Sequence, residues 1–448
     1  MSSNSPQPNY QETFKHLHNH LPGAGVPWIT RMRDQAMSEF QQQAFPDTHV
    51  EEWKYTDLRS LKRRAFSPPL SSGNISESAL EPWLFNHEPM HRLVFVDGRF
   101  TPNLCPFQTL LEGVTLTSLA TVMEHSPEEL EAVLGHTLTP DRPGFDAMNA
   151  AFLQDGAFIK LERDAVLEQP IHLLFISTGQ TDAMTTVRNV IQAGPGSSAT
   201  VIESWVALDD ATGNDASGLT NTITEIVLDE NAALQHYKLE QEGTAATHIG
   251  GLYVQQNGNS RLGTHSITLG GRLVRNELQV GLNGRGAECN LNGLTLTQGQ
   301  QHVDNHTRIE HHSPQASSNE LYKGILDDRS RTVFSGRIVV HKDAQKTQAQ
   351  QSNHSLLLSR DAEADARPQF EIYADDVQCT HGCTVGELDA DALFYLRSRG
   401  LDEDSARSLL VYAFAADVLD RMQLDCVRHY LEQQLADRLT GGTVMMTE

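Results

Sequence analysis

NTITEIVLDENAALQHYKLE, residues 221–240, sets two short runs of alternating aliphatic and polar side chains on either side of a polar turn at 229–232. Both runs are too short and too regular in alternation for an amphipathic helix, so they read as β-strands. The pattern extends in both directions, through PIHLLFIS (170–177), ATVIESWV (199–206), HSITL (265–269) and NELQVGL (276–282). Polar turns at 194–198, 229–232, 257–260 and 283–286 punctuate it. Their spacing, roughly 25 to 35 residues, lies in the range of stacked repeats. Few helical stretches interrupt the region, which disfavours βαβ units, because those need a crossover helix between parallel strands. No run can bury a core alone. Stacked coils would pair each strand with those above and below it, as in a parallel β-helix. A β-sandwich is the alternative, but it requires hairpins, and two-residue hairpin signals are mostly lacking.

The strand pattern spans 151–385, continuing through RTVFSGRIVVHKDAQKTQAQQSNHSLLL (331–358) and RPQFEIYADD (367–376), with Asp375 and Asp376 forming a turn where strand phase switches. Residues 1–150 read as a mixed, largely helical domain. There, Thr30 is expected to cap a helix through Phe40, and EEWKYTDLRSL (51–61) is a second helical candidate. HRLVFVDGRF (91–100) reads as a strand with an Asp97-Gly98 turn, and Glu128, Glu129 and Glu131 suit the positive end of a helix. Residues 386–448 read as a C-terminal helical domain: one helix over 388–399 ended by Gly400, a second capped by Asp402, and a third carrying Leu424, Val427, Leu431 and Leu435. Ala406, Leu410, Ala413, Phe414 and Val418 make an apolar stripe on the second. Such stripes usually pack within the chain. Here the helices have little else of their own to pack against, which keeps docking on a partner open and predicts that the β-region folds without them.

Composition narrows the function. A net charge of -24 argues against non-specific binding to nucleic acid or to anionic membrane, and points to protein partners. The N-terminal MSSNSPQPNYQETF lacks the basic and apolar parts of a secretion signal, and no apolar run is long enough to span a bilayer. Five scattered cysteines (Cys105, Cys289, Cys379, Cys383, Cys426) favour reduced thiols in a cytoplasmic setting over a disulfide framework.

The chemistry concentrates in VQCTHGCTV, residues 377–385. If extended, this segment places Val377, Cys379, His381, Cys383 and Val385 on one face. Thiolate and imidazole donors suit iron, zinc or sulfur-bearing intermediates, with a partner chain completing the coordination. Alternatively the valines mark a buried face on which the cysteines are small hydrophobes and His381 is a satisfied core histidine. C-x-H-x-C matches none of the closed zinc spacings, so spacing alone leaves both readings standing. His302, His306, His311 and His312 read as a solvated loop or interface, with Asp304 and Glu310 available to a metal if the loop folds suitably. No phosphate-binding G-x-x-x-x-G-K-[ST] run is present, so no nucleotide is expected on this chain. The pairs Asp327-Asp328 and Asp375-Asp376 raise a carbohydrate-active β-helix enzyme as a second function, although adjacent acids on one strand point to opposite faces and serve turns better.

NELYKGILDDRSRTVFSGRIVVHKDAQKTQAQQSN (319–353), FEIYADDVQCTHG (370–382), FYLRSRGL (394–401) and LLVYAFAADVLD (409–420) closely resemble the SufB/SufD family of iron–sulfur cluster assembly proteins. EEWKYTDLRSL and ELQVGLNGRGAECNLNGL (277–294) resemble it too, so the likeness covers most of the chain. It implies a mainly β protein, a right-handed parallel β-helix flanked by helical N-terminal and C-terminal domains. It further implies a non-catalytic scaffold subunit that pairs with a SufB-type subunit through the end of its β-helix. The C-terminal helices would dock on a SufC-type ATPase, which hydrolyses ATP in trans. His381, with Cys379 beside it, falls where the family offers a transient ligand to iron or a nascent cluster at the SufB interface. A homodimer in isolation, a flavin in the complex and a purely structural role beside SufB are left open. Cys383 and Gln378 depart from the small alanine and the lysine more usual in the family, and no family role passes to Cys383.

Overall fold

The computed structural model describes residues 10–69, 71–106, 112–138, 144–208 and 217–440. From Ala157–Leu161 to Gln378–Glu387, successive strands alternate between two sheets, and each pairs in parallel with the strand two places along. Thr247–Gln256 lies between Leu219–Leu228 and Leu273–Leu282. The next strand, Arg261–Thr268, lies in the other sheet between Ala233–Gln241 and Glu288–Thr297. Two strands therefore make one coil, and about eight coils stack into the expected parallel β-helix. Parallel pairing throughout this region excludes the hairpin-built sandwich.

One corner shows why the sequence coils. Asn231, Asn259, Gly286, Gln315 and Lys346 occupy equivalent turns with φ between 53° and 70°. The amide of each donates to a carbonyl in the turn of the following coil, from Asn231 to Gly258 and onward to Lys346 on Asp376. Asn and Gly tolerate this left-handed conformation at the least cost. Gly284 is needed for closeness, since a Cβ there would come within 2.0 Å of the Gly258 nitrogen. Between the sheets, Ile191, Val201, Ile226, Leu234, Val254, Leu262, Val280 and Leu291 fill a continuous apolar core.

The solenoid's two ends differ. At the first, the hairpin of His91–Val96 and Arg99–Phe100 extends one sheet, and Val114–Ser118 adds antiparallel to Ala157–Leu161 in the other. Residues before 151 thus contribute strands as well as helices. At the second, Glu363–Ile372 and Gln378–Glu387 are the last strands of their sheets among the described residues. Each has one edge unpaired, which is a ready template for another chain.

Local expectations in the N-terminal region need adjustment. The helix Pro27–Gln43 begins before Thr30, because proline's fixed φ and missing N–H suit a first turn. The Thr30 hydroxyl donates back to the Val26 and Ala24 carbonyls instead of capping. Residues 51–61 give only a 3-10 turn and the start of a one-turn helix, because Trp53 is drawn into the core beneath the Arg275 guanidinium, 3.9 Å from its ring centroid. The Asp97-Gly98 turn is present, and Glu128–Glu131 is a single helical turn.

The C-terminal helices, Ala390–Ser398, Glu403–Leu419 and Asp425–Thr440, correct a further expectation. The second and third do have something of their own to pack on, whereas no residue of the first is buried. Ala415, Val418, Leu419, Met422, Val427, Leu431 and Leu435 share one buried cluster with Tyr237, Leu239, Ile267, Leu294, Leu321 and Ile325 on the solenoid flank. The Gln423 and Leu424 amides donate to the Tyr237 hydroxyl, and Arg438 donates to the Leu269 carbonyl at 2.6 Å. Flank side chains that point out of the β-helix are apolar here because the helices cover them.

Candidate functional site at the open end of the solenoid

Gln378–Glu387 is the strand that carries QCTHGCTV, and its register decides which way the alternating face looks. Cys379, His381 and Cys383 stack on Ala349, Gln351 and Asn353 of the preceding coil, all three of which are buried. The alternating face is therefore the interior face of the β-helix. No further coil of the described chain covers it, so Cys379 is half-buried while His381, Cys383 and Val385 are exposed. Burial, the premise for a satisfied core histidine, holds one coil down and fails at the last one.

The His381 ring rests against Phe370 of the other sheet, with centroids 4.9 Å apart. Cys379 packs on the apolar core, and Cys383 Sγ lies 3.8 Å from Asn353 Oδ1. Partial burial pushes both thiols above their ordinary range, although the hydrogen bond with the Ala349 backbone lowers Cys379 a little. They are held as thiols in the isolated chain, so metal binding has to displace their protons. Ile372 and Tyr373 are exposed at the same end. Beyond it, Asp389 caps the first C-terminal helix through the Asp391 and Ala392 amides, Gly400 turns the chain at φ 102°, and Asp402 caps the second. Phe394, Tyr395, Leu401 and Leu409 stand exposed there, outside the stripe that seats the helices.

The histidine cluster is a strand, His302–His311, and not a loop. Its strand period was obscured because polar groups fill much of it. Asp304 is taken by Arg275 at 2.5 Å, by Thr56 and by His306, and these partners hold its carboxyl well below the usual range against the opposing effect of burial. His311 bonds Ser318 inside. Only Glu310 and His312 reach a third donor, His341, and these form the sole group of three potential metal ligands within 4.8 Å among the described residues. His341 was missed in the sequence, where the one available signal was its offset of a single coil. Asp327-Asp328 and Asp375-Asp376 are turns: Asp328 has φ 54° and accepts from the Gly299 amide, and the Asp376 amide donates to Gln345. No helix of the described residues is long and apolar enough to cross a membrane.

A solenoid of parallel coils whose last strand offers sulfur and imidazole donors defines a narrow class of protein. Residues 175–414 match the family described as SUF system FeS cluster assembly, SufBD core domain, and residues 4–173 match the SufBD protein N-terminal region. The chain is 33% identical over 399 residues to an iron–sulfur cluster assembly SufBD family protein of Synechocystis, covering 88% of this chain and 87% of that one. It is 31% identical over 450 residues to the iron–sulfur cluster assembly protein SufD of Escherichia coli, covering 97% and 99%, and 25% identical to SufD of Bacillus subtilis, covering 90% and 92%. The chain belongs to the SufBD family of iron–sulfur cluster assembly proteins.

Proposed function

We propose that this chain is the SufD-type scaffold subunit of an assembly complex, non-catalytic itself, and that a SufB-type subunit covers its open coil. The observation that supports this reading is the terminal coil: interior-facing Cys379 and His381 with nothing of the described chain above them, between two unpaired sheet edges. A second β-helix laid end to end would extend both sheets and enclose the donors. There, iron or a nascent cluster is the cargo, held transiently by His381 with Cys379 beside it and completed by groups of the partner. Imidazole ligation is more readily exchanged than a set of four thiolates, which suits a cluster that must leave.

The exposed Phe394, Tyr395, Leu401 and Leu409 are the surface we assign to a SufC-type ATPase, whose hydrolysis would supply energy in trans. A second copy of the chain would cover the same open end when SufB is absent. Reduced thiols suit a cytoplasmic setting. Co-expression with SufB-type and SufC-type partners tests the ligand role: His381→Ala should leave the complex intact on gel filtration and lose iron loading and the visible absorption of the cluster. Normal loading in an intact complex would leave this chain a purely structural partner.

A further inference from the structure

Away from the terminal strand, Glu310, His312 and His341 bring a carboxylate and two imidazoles within 4.8 Å of one another. We propose that these three residues bind a divalent transition-metal ion. The coil builds the arrangement. His302–His311 pairs with Arg331–Val340, residue for residue, so that His311 lies beside Val340. The His341 amide then donates to the His311 carbonyl, which carries the register around the corner. His312 and His341 consequently stack as neighbours, their ring centroids 4.3 Å apart and 19° from parallel. Glu310 Oε2 lies 2.9 Å from His341 Nε2 and 3.4 Å from His312 Nε2. Donor atoms about that far apart fit one ion at bond lengths of about 2.0–2.2 Å.

Three features favour an ion over a plain hydrogen-bonded cluster. Arg308 grips the other carboxylate oxygen, with Nη2 and Nε each 2.7 Å from Oε1, so Oε2 is fixed toward the imidazoles by an outer partner. The side chains of Glu310, His312 and His341 are 21%, 39% and 40% exposed, which admits an ion and leaves room for water in its remaining positions. The chain's net charge of -24 raises the local concentration of cations. Two nitrogen donors select a transition ion over calcium or magnesium. On binding, each imidazole keeps its proton on Nδ1 and gives the Nε2 lone pair to the metal. The site belongs to strands one and two coils before the last in the second sheet, so it is distinct from Cys379 and His381.

The test is a cobalt(II) titration of the untagged full-length chain under reducing conditions, followed by ligand-field absorption and calorimetry. His312→Ala, His341→Ala and Glu310→Gln should each lower the association constant by more than the about 10–100-fold that losing an outer partner costs. A Cys379→Ala/His381→Ala double variant should retain this binding, which separates the result from the cluster reading. Thermal unfolding identifies any variant that fails to fold, and Glu310→Gln, nearly isosteric, carries the test in that case. Absence of cobalt binding by the unmodified chain, or binding that survives all three substitutions, would overturn the proposal.

Discussion

Phe370 and His381, on the last strands of opposite sheets, meet with ring centroids 4.9 Å apart and planes at 49°. The contact steadies an exposed imidazole on an apolar face, and no hydrogen bond within the described residues engages its nitrogens. His381 is therefore presented outward from a supported position, at the place where the solenoid's interior becomes its end.

His381→Ala removes an exposed side chain and should change the stability of the isolated chain by no more than about 0.5 kcal/mol. Urea unfolding monitored by circular dichroism checks this. A loss of several kcal/mol would mean that the ring is structural.

Leu431 is buried between the last helix and the solenoid flank. Leu431→Ala should cost about 2–5 kcal/mol by opening a cavity there. Truncation before Glu403 should be worse, since it uncovers Leu239, Ile267, Leu294, Leu321 and Ile325 together; reduced soluble yield and binding of an apolar dye are the readouts. A truncated chain that stays soluble and dye-negative would contradict the packing argument.

Arg188 and Glu225 form a fully buried ion pair at 2.8 Å, and Glu225 also accepts from the Gly135 amide and the Thr137 hydroxyl. Arg188→Ala leaves that carboxylate without its counter-charge. The expected cost is about 3–5 kcal/mol, seen as a lowered thermal midpoint.

Burial pushes the Glu320 carboxyl up to about 7 from 4.5, only partly offset by a hydrogen bond from Gln351. The folded state therefore binds a proton more tightly than the unfolded chain, and this contribution is fully present below pH 4.5 and lost as pH rises through 7. Glu320→Gln should stabilise the protein on the alkaline side by on the order of 1–3 kcal/mol and change little under acid. His172 acts at the other end of the scale. Burial holds it at about 3 against 6.5, so its contribution is present above 6.5 and lost as pH falls toward 3. Unfolding free energies measured across that range, with His172→Gln for comparison, would expose a wrong sign in either case.

Phe394 is 74% exposed on a helix whose neighbours face the solenoid. Phe394→Asp should abolish capture of a SufC-type ATPase in a pull-down while leaving the thermal midpoint unchanged. Undiminished capture would refute the proposed assignment of this surface to a SufC-type ATPase.

The sequence by itself determined the coil. Alternation, turn residues and spacing are local properties, and a strand too short to bury a core has to stack. It also located Cys379 and His381 on one face, and Asp402 as the cap of the second C-terminal helix, whereas the Asp389 cap of the first emerged only in the structure. The tertiary structure decided what lies over each face. Residues 302–311 did not read as a strand because Asp304 and its neighbours are polar, and their burial is supported by Arg275 and Thr56, the latter almost 250 residues away in sequence. His341 came to lie on His312 only through the stacking of coils, and the helical tail found its seat on a flank assembled from many coils. Burial depends on what the chain brings from a distance, and so the same alternating face is core at Gln351 and open end at His381.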